Sequence, residues 1–433
     1  MKNRMKHSFF KGLKEFLILW STQSLSQLCS SMTAFALTLW LYETTGSSLK
    51  TAALTICSYA PYVMMSIFAG AVSDKFDKKK TMLVCDLLAA LCTGTVLLLY
   101  LTRRLEVWHL YTVNAFSGLM NTVQQPASEV ATTLLIPKEQ YQRASGFHSL
   151  SRSLVSVLSP LFATALYGLA GLKLVIAFDL GSFSVAFLAL LFLVRIPEVP
   201  AVKKESLSAL VREGAAYLKN APMILTMILF MSGINLVASA FDAALPGYVI
   251  PNPRGGTAML GIVTSFAGIA MVLGSLLVSV LPSPKNRMRT VYVTMLISMG
   301  IENFMLAFCR QPWIWCFSQV IGWILVPVMS ANYDVIFRST VPVELQGRIY
   351  ACRNTLQFFT IPIGLFLGGF MVDSIFEPFM ASHAGTEVLT VLFGSGKGSG
   401  AAVTMLVLGL AGTLHCLVWG HRMKQYTYTN GST

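Results

Sequence analysis

Charged residues are scarce in this chain. Asp, Glu, Lys and Arg make up only 12% of its 433 residues, whereas a soluble globular domain carries about 25%. Hydrophobic residues account for 55%. A composition so poor in charge excludes an ordinary soluble domain and is typical of a chain that lies largely in lipid.

Several catalytic and metal-binding patterns are also missing. The eight cysteines stand singly, with no Cys-x-x-Cys pair, and we interpret them as small packing residues. The six histidines form no His-Glu-x-x-His motif. The glycine-rich stretch 394–400 departs from the spacing of a phosphate-binding loop, because Val391 replaces its first glycine and Gly398 follows Lys397. We therefore expect no enzyme activity, no cofactor, no metal site and no ATP-driven pumping.

Long hydrophobic runs fill most of the chain. A helix needs about 20 apolar residues to cross the hydrocarbon core, and its backbone groups must be hydrogen-bonded within the segment. The alternating pattern of a membrane barrel does not occur. The sequence predicts an all-α membrane protein with twelve transmembrane helices, at 16–41, 51–73, 81–101, 107–135, 145–170, 173–194, 222–248, 257–281, 290–309, 312–337, 347–373 and 400–421.

Basic residues are distributed unequally between the two sides of this predicted protein. If the N-terminus is cytoplasmic, most basic residues fall on the cytoplasmic side, as the positive-inside rule requires. We therefore expect a multi-pass protein of the plasma or inner membrane with both termini in the cytoplasm. The net charge of +13 is spread over many loops, so we expect membrane lipid and no nucleic acid as a partner. The outer side then holds seven of the 32 basic residues, Lys50, Arg103, Arg104, Lys173, Arg254, Arg310 and Lys397.

A charged segment divides the runs into two groups of six. We predict an N-terminal bundle over 1–194, a cytoplasmic linker over 195–220 and a C-terminal bundle over 221–433. Within the linker, residues 206–219 have the apolar spacing of an amphipathic surface helix. Two pseudo-symmetric six-helix bundles are an architecture of secondary transporters. A short repeat at an offset of 205 residues supports it, with the identities Val130/Val335, Pro137/Pro342, Glu139/Glu344 and Arg143/Arg348.

The loop after the second run carries a family resemblance. Its sequence GAVSDKFDKKK (70–80) has the pattern Gly-x-x-x-Asp-Lys-x-Asp-Lys-Lys. With two sets of six helices, this resembles the major facilitator superfamily, although Val72 and Asp77 replace the usual leucine and glycine. Residues 23–47 are similar to the branch that holds macrolide-efflux and siderophore-export proteins.

The resemblance implies a gate at the cytoplasmic side. In the superfamily the aspartate of this motif makes a contact that exists only while that side is closed. Acidic and basic residues of the internal repeat fall near cytoplasmic helix ends, so we expect ion pairs of the gate there as well. The predicted gating residues are Gly70, Asp74, Lys75, Lys78, Lys79, Glu129, Arg143, Asp334 and Arg348.

Polar residues recur at helical spacing on helices 1, 4, 7 and 10, which line the substrate cavity in this superfamily. Polar side chains are costly in lipid and usually face a cavity. The alternative is hydrogen bonding between helices, worth about 0.6 kcal/mol per contact, without a transport role. We favour the cavity, and its predicted residues are Trp20, Gln23, Gln27, Asn114, Asn121, Gln125, Asn235, Asn332 and Tyr333.

Few acidic residues could carry a coupling proton. Asp242 ends a polar row on helix 7 and is our candidate for proton coupling. For Asp179 and Glu302, on helices 6 and 9, we expect structural pairing. Asp86 follows the lysine cluster, and we expect it to join the charge network there.

These features predict a secondary transporter that works by alternating access. By resemblance to the branch, we expect proton-coupled efflux of amphipathic small molecules such as antibiotics, by a monomer. The alternative within transport is a siderophore or another metabolite. The alternative of another class is a receptor or enzyme that keeps the fold without moving solute.

A lysine at the bilayer centre costs roughly 2.5–3.5 kcal/mol, so topology alone explains the lysines at 75–80. Topology does not explain Asp74. We expect Asp74→Asn to abolish transport while the protein still reaches the membrane, as measured by substrate efflux and by membrane fractionation. Normal efflux by this variant would reduce the motif to a topology signal.

Overall fold

The computed structural model describes residues 2–75, 77–136, 141–197 and 216–426. Within these ranges the chain is helical apart from short connections, and no strand occurs. The helices are α1 Lys2–Thr45, α2 Ser48–Lys75, α3 Lys78–Leu101, α4 Val107–Leu135, α5 Tyr141–Ala170, α6 Leu172–Phe192, α7 Pro222–Val249, α8 Thr257–Val280, α9 Arg287–Phe308, α10 Pro312–Ile324, α11 Val326–Thr340, α12 Val343–Phe358, α13 Thr360–Phe370, a π-helix Met371–Phe376, α14 Glu377–Ser382, α15 Glu387–Phe393 and α16 Ser399–Met423.

Every predicted run lies on one helix or on consecutive helices. The run 312–337 is interrupted between α10 and α11, where Pro327 has no N–H to continue the backbone ladder. The run 347–373 spans α12, α13 and part of the π-helix. Of the predicted surface helix over 206–219, residues 206–215 lie outside the described ranges.

Nine helical stretches among the described residues are long and apolar enough to cross a membrane. They coincide with nine of the twelve predicted runs, and the other three runs lie on α1, α2 and α4. Many large apolar side chains on these helices are exposed, including Leu169, Phe192 and Val280. Such a surface is stable against acyl chains and would be a liability in water.

The chain divides into two compact units. The first comprises Met1–Trp40 and Leu54–Lys203, and the second comprises Leu41–Ala53 and Lys204–Thr433. The end of α1 and the start of α2 therefore pack with the C-terminal helices. Sequence order alone does not reveal that Leu41–Ala53 belongs to the second unit.

In the first unit, α3 packs against α4 and α6, and α5 packs against α6. A buried apolar cluster joins α1, α3, α4, α5 and α6 and fixes their relative positions. It contains Phe16, Leu19, Met82, Ala127, Ala131, Leu135, Ile136, Ala144, Leu190 and Val194.

In the second unit, α7 packs against α13 and α16, and α9 packs against α10, α11 and α16. The α7 helix is buried over most of its length, with Ile224, Met227, Ile228 and Phe230 all inaccessible to solvent. Polar side chains on α7 and α9 are therefore enclosed by protein wherever they turn inward.

Two acidic residues at the π-helix cap the starts of two other helices. Asp373 accepts hydrogen bonds from the backbone N–H groups of Ser48 at 3.1 Å and Leu49 at 2.8 Å, and from the Ser47 hydroxyl at 2.5 Å. Glu377, four residues later, accepts from the N–H of Gly398 at 2.8 Å. The first N–H groups of a helix have no partner within the helix and attract negative charge, so these carboxylates stabilise α2 and α16.

We expect Asp373→Ala to lower the free energy of unfolding by about 1–2 kcal/mol, because α2 loses its cap. The measurement is SDS-induced unfolding of the purified protein in mixed micelles. Glu387→Ala is the matched control, since Glu387 is an exposed acidic residue in the first turn of α15 and caps no other helix in the described part of the chain. Equal stability of the two variants would contradict a structural role for the Asp373 cap.

Candidate functional site

In the first unit, the carboxylate of Asp86 is held by two amides. Gln23 of α1 donates to Oδ2 at 3.2 Å, and Gln124 of α4 donates to Oδ1 at 2.5 Å. Asp86 is buried on α3, so these bonds tie three helices together. We expected Asp86 to join the charge network of the lysine cluster; the bonds found among the described residues are to neutral amides, one at each carboxylate oxygen.

Trp20 also joins helices within the first unit. Its indole Nε1 donates to the carbonyl of Phe147 on α5 at 3.1 Å, and the two rings lie 4.7 Å apart. One turn further, Ser24 and Ser151 share a hydrogen bond of 2.7 Å. This side of α1 is therefore engaged with α5.

The polar row on α4 has both packed and open positions. Gly118 lies against α2, where a Cβ would overlap the carbonyl of Ser58, so the two helices meet closely. Asn114 donates to the carbonyl of Leu110 within its own helix at 2.9 Å. Asn121 and Gln125 are exposed.

Open amides are found on α1 and α4. Gln27 on α1 is exposed, and neither it nor Asn121 is hydrogen-bonded to any residue in the described ranges. Gln125 makes long bonds of 3.4 Å to Tyr62 of α2 and to Glu129 one turn away. Glu129 is also exposed. These side chains have free hydrogen-bonding capacity for a polar ligand, whereas the amides packed between helices do not.

In the second unit, three predicted cavity residues take part in packing. Asn235 of α7 donates to the carbonyl of Gln357 at 3.1 Å, and the Gln357 side chain donates to the Tyr333 hydroxyl. Asn332 is buried and accepts from Arg287 of α9 at 2.9 Å. Gln357 and Arg287 were not among the predicted site residues, because neither lies on the expected cavity helices.

Arg353 of α12 joins an aromatic cluster to an acidic residue. Its guanidinium lies 5.9 Å from the ring of Tyr333, 5.4 Å from Phe337 and 4.8 Å from Tyr350. Its Nη1 is 3.4 Å from the carboxylate of Asp334. An ion pair is thus present near the predicted gate, with Arg353 as the basic partner of Asp334.

The described part of the gating motif has local roles. Lys79 donates from Nζ to the carbonyls of Leu191 at 2.9 Å and Val194 at 2.7 Å, where a cation complements the end of α6. Asp77 accepts from the N–H of Lys80 at 2.7 Å and caps α3, which gives this departure from the family pattern a physical reason. Lys78 is half-buried at the start of α3. The surroundings of Gly70, Asp74, Lys75, Arg143 and Arg348 lie outside the described part of the structure.

Asp242 is exposed in the middle of a buried stretch of α7. Its neighbours Phe241, Ala243 and Ala244 are all buried, yet its own side chain is open and has no hydrogen bond to a residue in the described ranges. A charged group in a membrane helix almost always faces a water-filled space or the bundle interior. Asp242 is therefore positioned to meet water or a ligand.

The two remaining intramembrane acids differ from one another. Asp179 of α6 is buried and accepts from the hydroxyl of Ser30 at 2.9 Å, so the predicted structural pairing is found there. Glu302 of α9 is equally buried, but its Oε1 has no partner among the described residues. The expectation of pairing is wrong for this oxygen.

Comparison with known proteins identifies relatives over most of the chain. The macrolide efflux protein A of Streptococcus pyogenes is 24% identical over 368 residues, which cover 83% of this chain and 90% of that protein. The multidrug efflux pump Tap of Mycolicibacterium fortuitum is 24% identical over 351 residues, covering 77% of this chain and 84% of the pump.

Solved structures share the fold. The crystal structure of a bacterial homologue of the human lysosomal transporter Spinster superposes with a TM-score of 0.73 at 13% identity, covering 96% of this chain and 98% of that one. The sequence model of the Major Facilitator Superfamily matches residues 19–364. The chain therefore belongs to the major facilitator superfamily and is a helical membrane protein with its transporter fold.

Proposed function

We propose that this protein is a secondary transporter that exports amphipathic small molecules, such as macrolide antibiotics, in exchange for protons. The family makes it a membrane transporter, and two relatives are named for macrolide and multidrug efflux. Alternating access, proton coupling and a plasma-membrane orientation with both termini in the cytoplasm are parts of this proposal.

The exposed carboxylate of Asp242 is the observation that carries the proposal. An exposed acidic side chain on a membrane helix indicates a path for ions or substrate, because exposing its charge to lipid would cost too much free energy. It is open while both its chain neighbours are buried. We propose that Asp242 exchanges a proton with water during the transport cycle.

The open amides of the first unit support the choice of substrate class. Gln27, Asn121 and Gln125 offer donors and acceptors without a fixed charge. Ligand sites that take amphiphiles combine such groups with apolar and aromatic surface. A neutral or weakly basic amphiphile fits these residues better than a small inorganic cation.

The transport proposal is tested by accumulation of labelled erythromycin, with a panel of dyes and other antibiotics alongside, in cells with and without the protein. We expect lower accumulation in cells that contain the protein, and we expect a protonophore to remove the difference. Export that persists at full rate with the protonophore would refute proton coupling. Export of a siderophore alone would favour the alternative substrate.

For the site, we expect Asp242→Asn to abolish export driven by the proton gradient, because the amide cannot release a proton. Asp179→Asn is the matched control, since Asp179 is buried and bonded to Ser30. Export is measured in everted vesicles energised by respiration, with surface expression equalised. Wild-type export by the Asp242 variant, or an equal loss in the control, would remove Asp242 from the coupling site.

A further inference from the structure

Buried polar atoms without a hydrogen-bond partner are concentrated on three helices that pack together. The described residues contain six such side-chain atoms, and four of them lie on α9, α10 and α16. Each unsatisfied atom costs about 1–3 kcal/mol, and native proteins contain few. The four belong to Glu302, Asn303, Gln319 and Thr413.

Glu302 lies in a closely fitting socket formed by α9 and α10. Its side chain is 4% exposed, and a Cβ on Gly322 of α10 would overlap its carboxylate, so only glycine leaves room for it. The indole of Trp323 is within hydrogen-bonding reach of the same carboxylate. Ser298, one turn earlier on α9, donates to the carbonyl of Gly322 at 2.5 Å and fixes the facing backbone.

The socket lies at a break in a membrane helix. Gly322 is followed within three residues by the interruption between α10 and α11 at Leu325. Transporters place ion and substrate sites at discontinuous helices, where backbone groups are free to interact. The end of α10 also carries the negative pole of its dipole, which disfavours a bare carboxylate beside it.

No cation neutralises Glu302 within the part of the chain that the structure describes. Asp242 of α7 is another carboxylate of the same unit, and it cannot neutralise Glu302. Several charged and titratable groups on the helices around α9 have other surroundings. Of these, His415 is bonded to the carbonyl of Phe230, Arg422 lies over Trp419, Asp334 pairs with Arg353, Arg287 binds Asn332, Glu387 is exposed, and Cys316 and Cys416 are buried thiols.

We propose that Glu302 is a proton-binding site, in which the carboxylate takes up one proton to become a neutral carboxylic acid. A buried carboxylate without a cationic partner is stable only in that form or with a bound cation. The described residues contain no group of three His, Cys, Asp or Glu side chains that could hold a metal ion. The new hydroxyl would supply the donor that Oε1 lacks.

This inference deepens the proton-coupled transport proposed above and rests on it for its role in the cycle. The exposed Asp242 exchanges protons with water, whereas the buried Glu302 holds one. The two groups thus have separate tasks in the proposed cycle.

The protonation of Glu302 is tested without any substrate, by infrared difference spectroscopy of the purified protein between acidic and alkaline buffer. We expect a carbonyl stretching band of a protonated acid that is lost in Glu302→Gln and kept in Asp242→Asn and Asp179→Asn. Persistence of the whole band in Glu302→Gln overturns the proposal, as does its loss in Asp242→Asn instead. If Glu302→Gln does not yield folded protein, Glu302→Asp should shift the band, and an unshifted band overturns the proposal equally.

A second arm separates a proton from a metal cation. The spectra are recorded with sodium chloride and with choline chloride in its place. A band that is unaffected supports proton binding, and its disappearance with sodium shows that the socket takes a cation instead and overturns the proposal.

Failure of this site is distinguishable from failure of the proposed function. In vesicles, Glu302→Gln should lose gradient-driven erythromycin export while exchange of erythromycin across the membrane remains. If wild-type export is insensitive to the protonophore, the proposed function fails whatever the spectra show. If the wild type is sensitive and Glu302→Gln exports normally, only the Glu302 site is refuted.

Discussion

The structure depends on one constraint, that a polar group within hydrocarbon must find its partner inside the protein. Asp86 meets it with two amides, Asp179 with a hydroxyl, and Asp373 with the start of a helix. No arginine or lysine takes part in these bonds. Neutral donors are sufficient for each, and each bond joins helices that are distant in sequence.

Two carboxylates of the second unit lack a full set of hydrogen-bond partners among the described residues. Asp242 is open, and Glu302 is enclosed with one oxygen unpartnered. Stability alone does not account for either carboxylate, since an apolar residue at each position would remove the free-energy cost of an unsatisfied polar group. If the transporter is coupled to protons as proposed, incompletely satisfied groups are suited to bind and release them.

Much of the fold was predictable from the sequence, and the site was predictable only in part. The run 107–135 coincides with α4 because apolar length alone determines a membrane helix. Gln23 and Gln27, four residues apart on α1, show the limit: the first is bonded to Asp86 and the second is exposed. Helical spacing places both on one face, but the partner of Gln23 lies on α3, 63 residues away in sequence. The sequence could not predict the unpartnered oxygen of Glu302 either, because it results from the lack of a hydrogen-bond donor for that oxygen on the facing helix α10.

The cap of α2 by Asp373 has a consequence for the order in which the protein is made. The acceptor follows the N–H group of Leu49 by 324 residues. At about 5–20 residues per second, the ribosome needs roughly 16–65 s to add it. During that interval the first helical hairpin is in the membrane with an incomplete start to its second helix. Biogenesis of the N-terminal half is therefore finished only by the C-terminal half, and a nascent chain that stops before α13 leaves its earliest hairpin without its final contact.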